Sequence, residues 1–114
     1  MREMELPLEI TPQEVTDRLK RERPPVLLDV REPQEFALCH IEGSELVPMN
    51  TVPAELQRLE AMADEADIIA ICHHGVRSLQ VVNWLRQQGL ENCFSMAGGI
   101  ERWSTEIDPS VPRY

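Results

Sequence analysis

An α/β fold with a mostly parallel, helix-covered sheet is predicted by three features of the sequence. Short apolar runs suited to buried strands alternate with stretches of helical periodicity. The two strongest runs, residues 26–30 and 67–71, are nearly continuous in apolar residues, the pattern of strands buried on both faces. Prolines, glycines and charged residues punctuate most changes of period. The 114 residues suffice for one domain, 1–114, and not for two.

Each element has a local reason. Residues 6–10 alternate and suit an edge strand. Thr11 can cap a helix whose first position takes Pro12, with Glu14 completing a capping box and Val15 and Leu19 on one face. Arg23-Pro24-Pro25 ends that helix and opens the strand at 26–30. Residues 32–38 can form a short helix, His40 to Gly43 a turn, and residues 45–47 a second short strand. Pro53 is predicted to open a helix with Leu56, Leu59 and Met62 facing one way. Residues 67–71, with three isoleucines and no breaker, form the strongest strand and run directly into Cys72. The helix predicted at 78–88 carries Val81, Trp84 and Leu85 as its stripe, with Gly89 placed to end it. A last strand at 93–96 leads through Gly98-Gly99 to a short helix reaching Trp103. Residues 104–114 show two prolines and little periodicity.

The net charge of −9 argues against nucleic acid and anionic membrane partners, because both need a basic surface. No apolar run approaches the ~20 residues of a membrane span, and the start has no secretory apolar core, so a cytoplasmic location is expected. The cysteines at 39, 72 and 93 are odd in number and widely spaced, which favours free thiols over disulfides or a zinc ribbon. The adjacent His73 and His74 match no metal-ligand spacing, and neighbouring side chains on a tight loop are expected to point apart. No metal and no cofactor is therefore expected.

The run Cys72-His73-His74-Gly75-Val76-Arg77 carries the chemistry. A cysteine closing a buried strand is ordinarily a small core residue. Here, however, a short polar loop follows and feeds a helix. In α/β sheets ligands bind at that end of the strands. Gly75 permits the curl, and a curled loop at a helix start turns backbone N–H groups inward to form an anion site. A cysteine at its centre has its thiolate stabilised by those donors, and Arg77 adds a cation able to fork onto an oxyanion.

That loop resembles the active loop of the rhodanese family, written Cys-x-x-Gly-x-Arg. Leu28-Asp29-Val30-Arg31-Glu32-Pro33 with Glu35-Phe36 resembles the family's Asp-x-Arg-Glu motif. His40-Ile41-Glu42-Gly43-Ser44 is similar to its turn, and Ala97-Gly98-Gly99 through Trp103 to its ending. The four segments stand in family order over residues 8–104. The resemblance implies a three-layer α/β/α domain with a five-stranded sheet and a double-displacement sulfurtransferase reaction. Cys72 would be the catalytic nucleophile. It takes sulfur from a small donor such as thiosulfate and passes it to a thiol, cyanide or a sulfur-carrier protein. His73, His74, Gly75, Val76 and Arg77 would bind the donor and cradle the persulfide. Asp29 and Arg31 sit at another strand end, and from that place they are expected to brace the loop.

Three departures stand out. Cys39 replaces the glycine before the turn's histidine, Glu42 replaces its proline, and His73 occupies a position often cationic in thiosulfate-using members. His73 can be cationic or neutral near pH 7, which leaves the donor open. Two alternatives compete: a non-catalytic module of the same fold, and a phosphatase. Phosphatases place five residues between cysteine and arginine, whereas four separate Cys72 from Arg77, making a smaller cradle.

Overall fold

The computed structural model describes residues 7–114. Five strands form one sheet: β1 (Glu9–Ile10), β2 (Val26–Asp29), β3 (Glu45–Leu46), β4 (Ile68–Ile71) and β5 (Cys93–Met96). All neighbours are parallel, in the order β1-β5-β4-β2-β3. The helices are α1 (Pro12–Leu19), α2 (Pro33–Leu38), α3 (Leu56–Glu65), α4 (Val76–Gln87) and α5 (Gly99–Glu106).

Side chains alternate across the sheet, so two cores form, one on each face. Leu28, Ile68, Ala70, Cys72 and Cys93 pack with Leu59 of α3 and with Val81, Val82 and Leu85 of α4. Leu27, Ile69, Ile71, Phe94 and Met96 pack on the other side with Val15 of α1 and with Ile100 and Trp103 of α5. The continuous apolar runs of β2 and β4 thus feed both cores, which is the three-layer arrangement expected. Because every strand runs the same way, the segments after β2, β4 and β5 meet at one edge. Among the described residues, no helix is long and apolar enough to cross a membrane.

Element boundaries differ from expectation where turns intervene. Of the edge strand predicted at 6–10, Leu6 lies outside the described residues and only Glu9–Ile10 pairs. The helix expected from Pro53 is preceded by two 3₁₀ turns, Met49–Thr51 and Pro53–Glu55, and α3 begins at Leu56. Pro48 and Pro53 each suit the start of a turn but cannot donate to a helical ladder running through them. Thr11 caps α1 by accepting from the Glu14 amide at 3.1 Å. The reciprocal half of the box is replaced, since the Glu14 carboxylate pairs with Arg18 at 3.0 Å. The helix expected at 78–88 starts earlier, at Val76, because Gly75 reverses the chain at φ +98°.

Candidate active site

Cys72 sits one residue past β4, on the α3/α4 face, and is 1% exposed. Its Sγ accepts the backbone N–H of Gly75 at 3.1 Å and of Ser78 at 3.3 Å. Both donors belong to the start of α4, where unpaired amides and the helix dipole favour negative charge. The Ser78 hydroxyl lies 3.4 Å from Sγ and 2.7 Å from the Ser95 hydroxyl of β5. Rotated, it can donate to a thiolate instead of accepting from a thiol. Ser78 is not among the site residues that the sequence motif points to. The available signal is a serine in the first turn of the helix that follows the loop.

A second helix holds the loop from beneath. The first amides of α5 donate to it, Ile100 N–H to the Cys72 carbonyl at 2.8 Å and Glu101 N–H to the His73 carbonyl at 3.1 Å. Gly99 makes this approach possible. A Cβ there would stand 2.3 Å from the Cys72 oxygen and 2.4 Å from the His73 oxygen, and its φ of +60° disfavours any side chain.

The sequence suggests an Arg77 at an exposed helix start with its cation open to a donor. Its guanidinium is instead forked onto Glu35, with N–O distances of 2.7 and 3.0 Å, and only 30% of the side chain is exposed. The fork and a backbone N–H from Glu32 outweigh burial and hold the Glu35 carboxyl down at about 2. Asp29 and Arg31 pair with each other at this edge, and their hydrogen bonds run to Glu35, Cys39 and Tyr114 rather than to the cysteine loop. The fully buried carboxylate of Asp29 takes the Arg31 amide, Nε and Nη2, the last at 2.7 Å. Arg31 also donates to the Cys39 carbonyl at 2.6 Å and to the Tyr114 hydroxyl at 2.8 Å. Burial alone would lower the Arg31 pKa, but the bonds to Asp29 and Tyr114 raise it above its usual value.

Tyr114 links these groups. Its hydroxyl accepts from Arg31 and donates to Glu35 at 2.9 Å, and its ring lies 3.8 Å from the His73 ring, nearly parallel. Burial pushes the phenol up to about 12, so it stays protonated and able to donate. Neither Glu35 as a loop partner nor Tyr114 is evident from the sequence. Tyr114 gives no local signal, because its partners lie 79 and 83 residues away in the chain.

The two loop histidines do not point apart, as expected of neighbours; their rings stack at 3.9 Å because the curl brings them together. Burial, then the neighbouring His74, lowers the His73 pKa, which favours the neutral ring at pH 7. With Glu101 the pair forms a cluster whose donor atoms lie within 4.8 Å of one another. Zinc–nitrogen bonds of about 2.1 Å would draw tetrahedral donors to roughly 3.4 Å. Glu101 is already ion-paired with Arg113. Val76 is 65% exposed and His74 is exposed, so both line the outer lip.

The other thiols are placed differently. Cys39 is buried, with Sγ 3.3 Å from the Pro112 carbonyl. Cys93 is buried in the sheet, and desolvation pushes its thiol up to about 12.

The family model for the rhodanese-like domain matches residues 11–106. The thiosulfate sulfurtransferase GlpE of Haemophilus influenzae is 35% identical over 96 residues, covering 83% of this chain and 86% of that protein. Rhodanese-like/PpiC domain-containing protein 12 of Arabidopsis thaliana is also 35% identical, over 77% of this chain and 30% of its own length. The chain spans only 20–30% of several such curated relatives. A solved structure of a rhodanese-related protein from Thermoplasma volcanium superposes with a TM-score of 0.77 at 31% identity, covering 93% of this chain and 98% of that one.

Proposed function

The chain belongs to the rhodanese-like domain family, and from that premise we propose that it is a sulfurtransferase carrying sulfur on Cys72. The observation that carries this reading is the pair of amide donors, Gly75 and Ser78, on the Cys72 sulfur. Such donors favour the thiolate, the reactive form of cysteine.

With thiosulfate as donor, the Cys72 thiolate attacks the outer sulfur. The sulfur–sulfur bond of the donor breaks, sulfite leaves with that electron pair, and Cys72 holds a persulfide. The loop amides and the start of α4 stabilise the anionic outer sulfur. An acceptor thiolate or cyanide then attacks that sulfur, and the Cys72 thiolate is regenerated as the leaving group. Arg77 pairs with the donor's anionic oxygens once Glu35 yields it. A sulfur-carrier protein that presents a cysteine thiolate serves as acceptor by the same chemistry.

Mass spectrometry after incubation with thiosulfate tests the reading. The expected result is one added sulfur, located on Cys72 and absent from Cys72→Ser. Sulfur found only on Cys39 or Cys93, or on no cysteine, would overturn it. So would aryl phosphate turnover that Cys72→Ser abolishes.

A further inference from the structure

The stretch after α5 lies outside the matched family segment, yet it packs across the edge that holds Cys72. Its root is fixed. Val111 is 7% exposed, its carbonyl accepts the Ser104 hydroxyl, and the next carbonyl, of Pro112, accepts from Cys39. Its last residues are held by the ion pair of Arg113 with the partly exposed Glu101 and by Tyr114, whose hydroxyl reaches the buried Arg31 and the Glu35 carboxylate and whose ring stacks on His73. Tyr114 is 40% exposed while the sulfur-bearing residue beneath the loop is 1% exposed. This one side chain touches three walls of the site. The ring covers His73, the residue next to Cys72, and the hydroxyl bridges Arg31 after β2 and Glu35 of α2. The fourth wall, α4, is reached at one remove, because the same Glu35 oxygen that accepts from Tyr114 also accepts from Arg77.

We infer that residues 107–114 form a strap over the cysteine loop, latched by Tyr114, that selects by size which reactants reach the Cys72 sulfur. The inference rests on Cys72 being the reacting atom. A firmly rooted segment whose outer side chain is partly exposed and held by a few polar contacts can open locally while the fold stays intact. Small reactants then enter during brief loop openings, whereas a bulky one needs the tyrosine off the histidine. The bridging hydroxyl also makes the latch cooperative with the Glu35–Arg77 fork, so loosening one loosens the other.

Cysteine alkylation tests the strap without any sulfur chemistry. The folded protein is treated with iodoacetamide or with a pyrene-sized maleimide, and the rate at Cys72 is read by peptide mass spectrometry. Tyr114→Phe loses the hydroxyl bridges and keeps the stack; Tyr114→Ala loses both. The bulky-to-small rate ratio at Cys72 is expected to rise about threefold in Tyr114→Phe, which loses two partly exposed hydrogen bonds, and about tenfold in Tyr114→Ala, which loses the ring stack as well. Cys93 is expected to stay unreactive in all forms, while the melting temperature falls by several degrees as the bonds to Arg31 and Glu35 are lost. A ratio unchanged in both variants overturns the strap, as does alkylation of Cys93 alongside Cys72, which marks general loosening. No reaction at Cys72 in any form also overturns it. If the ratio rises but thiosulfate leaves no sulfur on Cys72, the strap stands and the persulfide reading falls. Sulfur uptake with an unchanged ratio removes the strap and leaves the persulfide in place.

Discussion

Glu35 and Arg77, 42 residues apart in the chain, form a two-pronged ion pair that ties α2 to the first turn of α4. The cation proposed to meet the sulfur donor is therefore already matched to a carboxylate in the resting protein. A donor anion must compete with Glu35. In Glu35→Gln the competitor loses its charge, and KM for thiosulfate is expected to fall about two- to fivefold, the factor corresponding to the ~0.5–1 kcal/mol of a partly exposed pair. Steady-state sulfur transfer to cyanide measures this; an unchanged or raised KM contradicts it.

The same pair predicts an acid response. The Glu35 carboxyl is held at about 2 in the folded chain, chiefly by Arg77, against an ordinary 4.5. Between those values the unfolded chain binds the proton and the folded chain does not, so stability rises with pH. The contribution is complete above about pH 4.5 and lost as pH falls toward 2, and because the pair is partly exposed its size is on the order of 1 kcal/mol. Thermal melts from pH 5 to pH 2 are expected to fall less steeply in Glu35→Gln than in the unaltered chain. Parallel slopes would remove the assignment.

Asp29→Asn leaves the Arg31 guanidinium buried beside a neutral amide. Removing one partner of a buried pair costs about 3–5 kcal/mol, far more than the pair itself contributes. Urea denaturation is expected to show a loss in that range. A loss below about 1 kcal/mol would mean that Tyr114 and the Cys39 carbonyl suffice to hold Arg31.

Gly99→Ala sets a methyl group 2.3–2.5 Å from backbone atoms of Cys72 and His73 and places alanine at positive φ. The backbone cannot rotate away as a flexible side chain would. A destabilisation of about 3 kcal/mol or more is expected, with sulfur uptake slowed as the loop shifts. Normal uptake with normal stability would show that the loop tolerates a different seat on α5.

Ser78→Ala keeps the amide on the Cys72 sulfur and removes only the hydroxyl. It leaves the Ser95 hydroxyl, which is fully buried, without its partner. A loss of about 1–2 kcal/mol is expected, while persulfide formation slows less than tenfold because the main-chain donors remain. A hundredfold loss of rate at little cost in stability would assign the hydroxyl a direct part in the reaction.

What is legible in the sequence is what the chain encodes locally. The isoleucine run of β4, the stripe of α4 and the glycine in the cysteine loop each act within a few residues, so period and composition reveal them. Asp29 and Arg31, two residues apart at a strand end, are near enough to suggest a brace. Long-range partners are not legible. The Arg77 cation looks open in the sequence because its carboxylate comes from another helix, and Tyr114 looks like part of an aperiodic tail. The histidines are expected to diverge because the curl that stacks them depends on Gly75 and on α5 together.

The position of Gly99 has a consequence for how this site can change. The carbonyls of Cys72 and His73 rest on the amides of α5, while the Cys72 sulfur rests on those of α4. The loop is thus gauged from two sides by two helices. Inserting a residue between Cys72 and Gly75 would move the sulfur from one gauge and the carbonyls from the other. Enlarging the cradle is therefore a concerted remodelling of two helix starts, out of reach of a single insertion, and engineers seeking a roomier pocket should redesign both junctions at once.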